Sequence, residues 1–372
     1  MKKIIYTIAG TYRSAGMERV LADKANYLVS HGYEVDIVTT DQKGREPAFD
    51  LDPRIKTFDL GVNYEANNGG SFLSKLTLYP LKKMRHRKRL KALIAREKPD
   101  ICVSMFCGDE GFLPKFRDGS KKVLEVHFSR FKRLQYDRSG LWAMADKLRS
   151  RMDVRRVKAF DRFVVLTNED YGYWGRPKNG VVIPNSLSSL PSETSKLDSK
   201  TVLFVGRFSY QKAPDRLIEV WRRISYLPEG MDWKLRMVGD GEVTELLKKR
   251  AEGLNIEFLE PQKDMKKVYL DASVLVLTSR YEGLPMVLLE AQAFGIPAVS
   301  FACKCGPADV ISDGKSGFLV PEGNINSFAT ALAKFIENED LMRSFGAEAR
   351  KESARWDRET IMTQWINLFE SL

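Results

Sequence analysis

The sequence predicts an α/β protein of two doubly wound, Rossmann-like domains that face each other across a cleft. Three observations carry this. Short β-branched runs alternate with amphipathic stretches along the chain, the pattern of parallel βαβ units. That series runs through twice. Between the two passes, residues 187–200 are rich in Ser and Pro and lack periodicity, as a linker does. Sheets of this kind bind ligands at the carboxyl edge of their strands, so the cleft is the expected site.

In order, the first pass places strands at 4–9, 34–39, 101–105, 122–127, 162–166 and 181–184, with helices at 17–30, 74–97, 142–160 and 168–175. Residues 1–186 form the amino-terminal domain on this reading. The second pass places strands at 201–205, 235–238, 256–259, 273–277, 298–300 and 317–320, separated by helices at 213–226, 242–252, 286–294 and 325–337. That is a carboxyl-terminal domain over 201–350. The tail, 351–372, carries Trp356, Ile361, Trp365, Leu368 and Phe369 at helical spacing, and is expected to pack back on the first domain.

Composition narrows the class. A chain of 372 residues with 43% hydrophobic and 29% charged content can bury full cores, and its length fits two domains. Apolar runs such as 274–277 fall far short of the roughly 20 residues a membrane span needs. Residues 4–9 follow two lysines as a signal peptide would, but the run is short and meets Thr11, Arg13 and Glu18, so it reads as a first strand in a cytoplasmic protein. Four cysteines are too few for a disulfide framework, and Cys303-Lys304-Cys305 reads as reduced thiols.

The formal charge of +11 is uneven. Residues 1–186 hold 36 Lys and Arg against 22 Asp and Glu, a net +14, whereas the rest hold 24 against 27. Much of the excess lies in 82–91 and 147–158, both at helical spacing. Such faces attract anionic lipid, nucleic acid or a phosphorylated substrate, or are simply solvated.

The strongest motif is Glu282-Gly-Leu-Pro-Met-Val-Leu-Leu-Glu290, which follows an apolar strand and opens a helix near Met286. The first helical turn points unpaired amides, at the positive end of the helix dipole, toward whatever lies before it. Glu290, one turn further in, can accept from vicinal hydroxyls such as those of a ribose, and Glu282 needs polyol hydroxyls or a cation for company. The plainer reading is a helix-terminal charge and a solvated acid.

Two glutamates eight positions apart around Gly-Leu-Pro resemble the EX7E signature of the retaining glycosyltransferases of family 4, which have the GT-B fold. Further segments resemble the family in order: Gly10 with Ala15-Gly-Met-Glu-Arg-Val20, Ile183-Pro-Asn-Ser186, Gly206-Arg-Phe-Ser-Tyr-Gln-Lys212, Val238-Gly-Asp-Gly-Glu242, Phe258-Leu259, and Gly306 with 313–320. The resemblance runs from about residue 5 to 322 and is strongest in the second domain. It implies transfer of a sugar, with retention, from a nucleotide-diphosphate donor, UDP-linked first and GDP-linked second. Arg207 and Lys212 would hold the diphosphate. Gly16, Asn185, Gly206, Glu282, Gly283, Leu284, Met286, Val287 and Glu290 would bind the donor, and Glu282 and His127 would act with Arg207 and Lys212 on the reacting sugar. His127, at a strand end, and Asn185, at a turn, are also ordinary structural positions. No metal cofactor is implied.

The implied acceptor is a saccharide, lipid-linked or in a surface polysaccharide, with the basic first domain on an anionic membrane surface. Two departures stand out: Ala15-Gly16 replaces a double glycine, and Glu260 stands where many relatives have glycine, near the expected base. A nucleotide-sugar epimerase of the same fold and a nucleic-acid-binding module are the competing readings. The first would want carboxylate and histidine acid–base pairs in place of Arg207 and Lys212. The second finds neither a nucleic-acid motif nor a basic second half.

Overall fold

A computed structural model describes residues 2–13, 15–67, 72–134, 140–262 and 264–372, with the side chains of 67, 72–77, 141 and 142 outside that description. The chain forms two compact units, Met1–Pro184 with Ile361–Leu372, and Asn185–Thr360.

The first unit holds seven strands, β1 (Lys3–Ile8), β2 (Glu34–Thr39), β3 (Lys56–Asp59), β4 (Ile101–Ser104), β5 (Lys121–Glu125), β6 (Arg162–Val165) and β7 (Gly180–Val182). They form one sheet in the order β3-β2-β1-β4-β5-β6-β7, parallel throughout. Four longer helices belong to its first segment, α1 (Gly16–Ser30), α2 (Phe72–Glu97), α3 (Gly140–Val157) and α4 (Asn168–Tyr173). Alternation along β1 decides which core each residue joins. Ile4, Tyr6 and Ile8 pack with Leu21, Ala25 and Leu28 of α1, whereas Ile5 faces Leu90 and Ile94 of α2.

The second unit repeats the plan with β8 (Thr201–Val205), β9 (Lys234–Val238), β10 (Ile256–Leu259), β11 (Val274–Leu277), β12 (Ala298–Phe301) and β13 (Gly317–Val320), ordered β10-β9-β8-β11-β12-β13. Its helices are α5 (Pro214–Ile224), α6 (Thr244–Arg250), α7 (Lys266–Leu270), α8 (Met286–Ala293), α9 (Pro307–Val310), α10 (Ile325–Glu337) and α11 (Glu339–Glu352). In each sheet the order reverses beside the first strand of the unit, between β1 and β4 and between β8 and β11, which opens a crevice at the carboxyl edge.

Several elements differ from expectation. The strand expected over 122–127 stops at Glu125, leaving His127 in the following loop. Residues 187–200 are not a free tether. They pack on the second unit, where Ser195 N–H donates to the Phe294 carbonyl at 2.8 Å and Arg350 Nη2 to the Pro191 carbonyl at 2.8 Å. The tail is not one helix: α11 ends at Glu352, a short 3-10 turn spans Ser353–Trp356, and α12 (Arg358–Glu370) follows. Ile361, Met362, Trp365 and Phe369 of α12 enter the core between the first sheet and α1. No helix among the described residues is long and apolar enough to cross a membrane.

Candidate active site

In the second unit, two loops at the carboxyl edge of the sheet are locked together. The loop after β8 begins at Gly206, whose N–H donates to the Val238 carbonyl at 3.0 Å, and the Phe208 N–H donates to the Asp240 carbonyl at 2.6 Å. A Cβ at Gly239 would lie 2.1 Å from the Gly206 carbonyl oxygen, and one at Gly241 would lie 2.2 Å from that of Phe208. These two glycines are therefore what lets the loops after β8 and β9 meet.

The loop after β11 closes on the other side. Thr278 Oγ1 donates to the carbonyls of Lys212 and Ala213 at 3.2 and 3.1 Å, and the Arg280 N–H donates to the Gln211 carbonyl at 2.8 Å. Gln211 Nε2 returns a bond to the Tyr281 carbonyl at 3.1 Å. The result sets Lys212 Nζ 2.7 Å from Glu282 Oε1, with Glu282 only 5% exposed. The cation that a buried carboxylate needs is thus Lys212.

Beyond Glu282 the chain turns into α8. Gly306, at φ +97°, makes room for this turn, since a Cβ there would sit 2.5 Å from Pro285 Cδ. Pro285 caps α8 without a side-chain bond, so no capping oxygen competes for the amides of Met286 and Val287. Leu284 is buried, and what it can offer a ligand is backbone. Gly283, Met286, Val287 and Glu290 are half-buried, and Tyr269 donates its hydroxyl hydrogen to Glu290 Oε2. Arg207 is exposed, and among the described residues it has no hydrogen-bond or ion-pair partner.

So Gly206, Arg207, Lys212, Glu282, Gly283, Leu284, Met286, Val287 and Glu290 fall on one connected set of loops and the helix they open. Asn185, buried at 7% exposure, is the first residue of the same unit.

The first unit carries Gly16 and His127. Gly16 opens α1 behind Ala15, which supplies no side-chain cap, and a Cβ at Gly16 would meet nothing within 4 Å among the described residues. The space over this helix start is open. His127 follows β5, with Nε2 2.8 Å from Glu125 Oε1. The same carboxylate oxygen pairs with the ammonium of Lys24, which arrives from α1 because β1, β4 and β5 are neighbours. Lys24 in turn lies 3.6 Å from the ring centroid of Trp365 on α12. Burial alone would push Glu125 up, but the attraction of Lys24 and His127 overcomes it and holds the carboxyl down at about 2.

Two family models divide the chain. Residues 14–187 match "Glycosyltransferase Family 4" and residues 188–352 match "Glycosyl transferases group 1". The chain belongs to the family 4 glycosyltransferases. This glycosyltransferase is 27% identical over 395 residues to the amylovoran biosynthesis glycosyltransferase AmsD of Erwinia amylovora, covering 99% of each chain. It is 26% identical over 378 residues to a Campylobacter jejuni α-1,4-N-acetyl-D-galactosaminyltransferase that acts on an undecaprenol-diphosphate-linked saccharide, covering 99% of this chain and 98% of that one. Its fold matches that of TarM from S. aureus, solved with UDP, at a TM-score of 0.78 and 18% identity over 99% of this chain and 100% of that one. Both units are Rossmann-like, and the fold is GT-B.

Sequence reasoning missed Tyr269, Lys24 and Glu125 in this glycosyltransferase. A charged residue on an amphipathic helix ordinarily counts as solvent face, and only the strand order reveals that Lys24 points at the end of β5. The array has a consequence for acid stability. Because the carboxyl of Glu125 is held below its ordinary value of 4.5, its contribution is fully present above about pH 4.5 and is lost as pH falls toward 2. Glu125→Gln, which leaves the buried Lys24 ammonium without its carboxylate, is therefore expected to be destabilising at neutral pH, with the gap to wild type narrowing through that window. Urea titrations of both proteins from pH 3 to 6 measure it, and parallel stability curves would remove the assignment.

Proposed function

We propose that this glycosyltransferase moves a hexose or N-acetylhexosamine from a UDP-sugar, with retention at the anomeric carbon, to a hydroxyl of a lipid-linked or surface-polysaccharide saccharide. The observation that carries the reading is the uncommitted guanidinium of Arg207 on the loop that also holds the Lys212–Glu282 pair. As the nucleoside diphosphate departs, negative charge grows on its oxygens, and cations already in place stabilise that state without reorganising. Arg207 and Lys212 take this charge together with the amides at the start of α8 and at Gly16, so the reaction needs no metal. Glu290, aimed by Tyr269, receives the ribose hydroxyls, and Glu282 receives those of the sugar. Gly206, Gly283, Leu284 and Asn185 complete the donor site.

His127 orients the reacting sugar. The acceptor hydroxyl attacks C1 from the side of the leaving group. Its oxygen–C1 bond forms as the C1–phosphate oxygen bond breaks, and its proton passes to an oxygen of the departing diphosphate. Support for the substrates comes from the relatives: one is named for a bacterial exopolysaccharide, one acts on an undecaprenol-linked glycan, and one was solved with UDP. Support for an anionic membrane as partner comes from α2. It exposes Leu78, Leu81 and Met84 among Lys82, Lys83, Arg85 and Arg87, the mixture an interfacial helix presents. Nucleic acid has no part in the reading.

Nucleotide release from a panel of UDP- and GDP-sugars, with and without a bacterial lipid extract, tests it. One UDP-sugar should be consumed, faster with the extract. Consumption of GDP-mannose alone would reassign the donor, and conversion of a sugar nucleotide without release would favour the epimerase.

A further inference from the structure

The first unit contains a pocket of about 280 Å³ that the donor chemistry does not use. Arg130, Lys132, Arg133 and Arg149 line it, and among the described residues the carboxylates that line it with them are Asp146 and Asp153. Neither acid is given wholly to the pocket's cations. Asp153 takes Arg133 Nε at 2.7 Å but also Arg156 Nη1 at 3.1 Å, and Arg149 stands 3.9 Å from Asp146, too far for a hydrogen bond. Lys132 places its ammonium 4.2 Å from the ring centroid of Phe128 and has no carboxylate partner among the described residues.

Arg130 is fixed by the hydroxyl and carbonyl of Ser150 and lies 5.0 Å from the Trp174 ring centroid, while its buried Nε has no partner among the described residues. Burial, with the neighbouring Arg133, lowers its affinity for its proton despite the attraction of Asp153 and Asp170. Four cations converging on a walled space, with fewer negative charges than they need, make a site for a polyanion.

Position says which polyanion. Phe106 and Phe128, packed edge to face at 5.0 Å, form the aromatic wall, and they follow β4 and β5 at the carboxyl edge of the sheet. Phe128 is the residue after His127. The anion therefore sits next to the residue that meets the reacting sugar, yet in the unit that does not hold Arg207 and Lys212.

We propose that this pocket binds the phosphate or diphosphate group that links the acceptor saccharide to its carrier, with Lys132 and Arg149 as its mobile ligands and Arg130 as its fixed one. The assignment rests on the acceptor proposed above.

The full chain, saturated with UDP so that the donor site is occupied, is titrated calorimetrically with inorganic pyrophosphate and, separately, with farnesyl diphosphate. Binding should be seen for both, should persist in Arg207→Ala, and should weaken at least tenfold in Lys132→Ala/Arg149→Ala. Both of these side chains are on exposed residues, so the double variant folds, which its urea midpoint checks. Equal affinity for the two ligands means that the pocket reads the diphosphate alone, and tighter farnesyl diphosphate means that it also takes the carrier. Pyrophosphate that fails to bind beside UDP, or binds undiminished to the double variant, overturns the proposal. Failure of the transferase reading is separate and visible, since wild type would then release nucleotide from no sugar donor.

Discussion

Arg207→Ala is expected to lower kcat by about 10²–10³-fold and to leave the urea midpoint unchanged. The rate loss is that of one pre-organised donor removed from a developing oxyanion, about 2.7–4 kcal/mol. The unchanged midpoint follows from exposure and from the lack of any partner among the described residues, because surface substitutions of this kind shift stability by less than about 0.5 kcal/mol. Lys212→Ala gives the contrast. It should lose rate for the same reason, but it also strands Glu282, which is buried and 2.7 Å from the ammonium, so stability is expected to fall with activity. Steady-state kinetics with the consumed donor decide the matter. A rise in KM at constant kcat would mean that Arg207 holds the donor equally in ground and transition states, and the charge-stabilising role would be lost.

Trp365→Ala is expected to unfold the first unit selectively. Truncating a fully buried Trp costs about 3–5 kcal/mol, and here the indole also faces the ammonium of Lys24, a desolvated cation–π contact that adds about 1–2 kcal/mol. A total near the whole stability of an ordinary domain is at stake. The two units need not unfold together, so a single transition is the wrong observable. Amide hydrogen exchange resolves them: β1, α1 and β5 should lose protection while β8, β9 and β11 keep theirs. Exchange that is unchanged in the first unit would show that α12 is not part of its core.

Most strands and the long helices were legible because burial imposes a period. Most strands of both sheets are largely apolar runs of four to six residues, and α5 and α10 show a clean apolar stripe. Elements without such a stripe were not legible. β3, Lys56–Asp59, is an edge strand with three exposed residues of four, so its sequence carries no alternation to read. The chain at 187–200 reads as a linker by composition, and what holds it is contributed from far away in sequence: Arg350 and Arg343 donate to the Pro191 and Lys196 carbonyls, and Leu187 and Leu197 are buried at no periodic spacing.

The candidate site divides in the same way. Glycines and charges clustered at strand ends announced the loops of the second unit. The Lys24–Glu125–His127 array did not announce itself, because Lys24 lies 101 residues from Glu125 and meets it only through the order β1-β4-β5. The cationic pocket was half legible: the excess of positive charge was plain, but not that Arg130, Lys132 and Arg133 turn inward with Arg149 onto one space.

The placement of α12 also bears on synthesis. The second unit is one uninterrupted stretch, whereas the first is assembled from pieces on either side of it. During translation the first sheet emerges early but waits, through the making of about 176 further residues, for the helix that seals it. In that interval Ile4, Tyr6 and Leu28 lack the cover of Trp365 and Phe369, and Lys24 lacks its aromatic lid. The nascent chain thus presents an apolar slot for the time a whole domain takes to be made, an exposure that invites chaperone binding and sets the order of completion: the second unit can finish first.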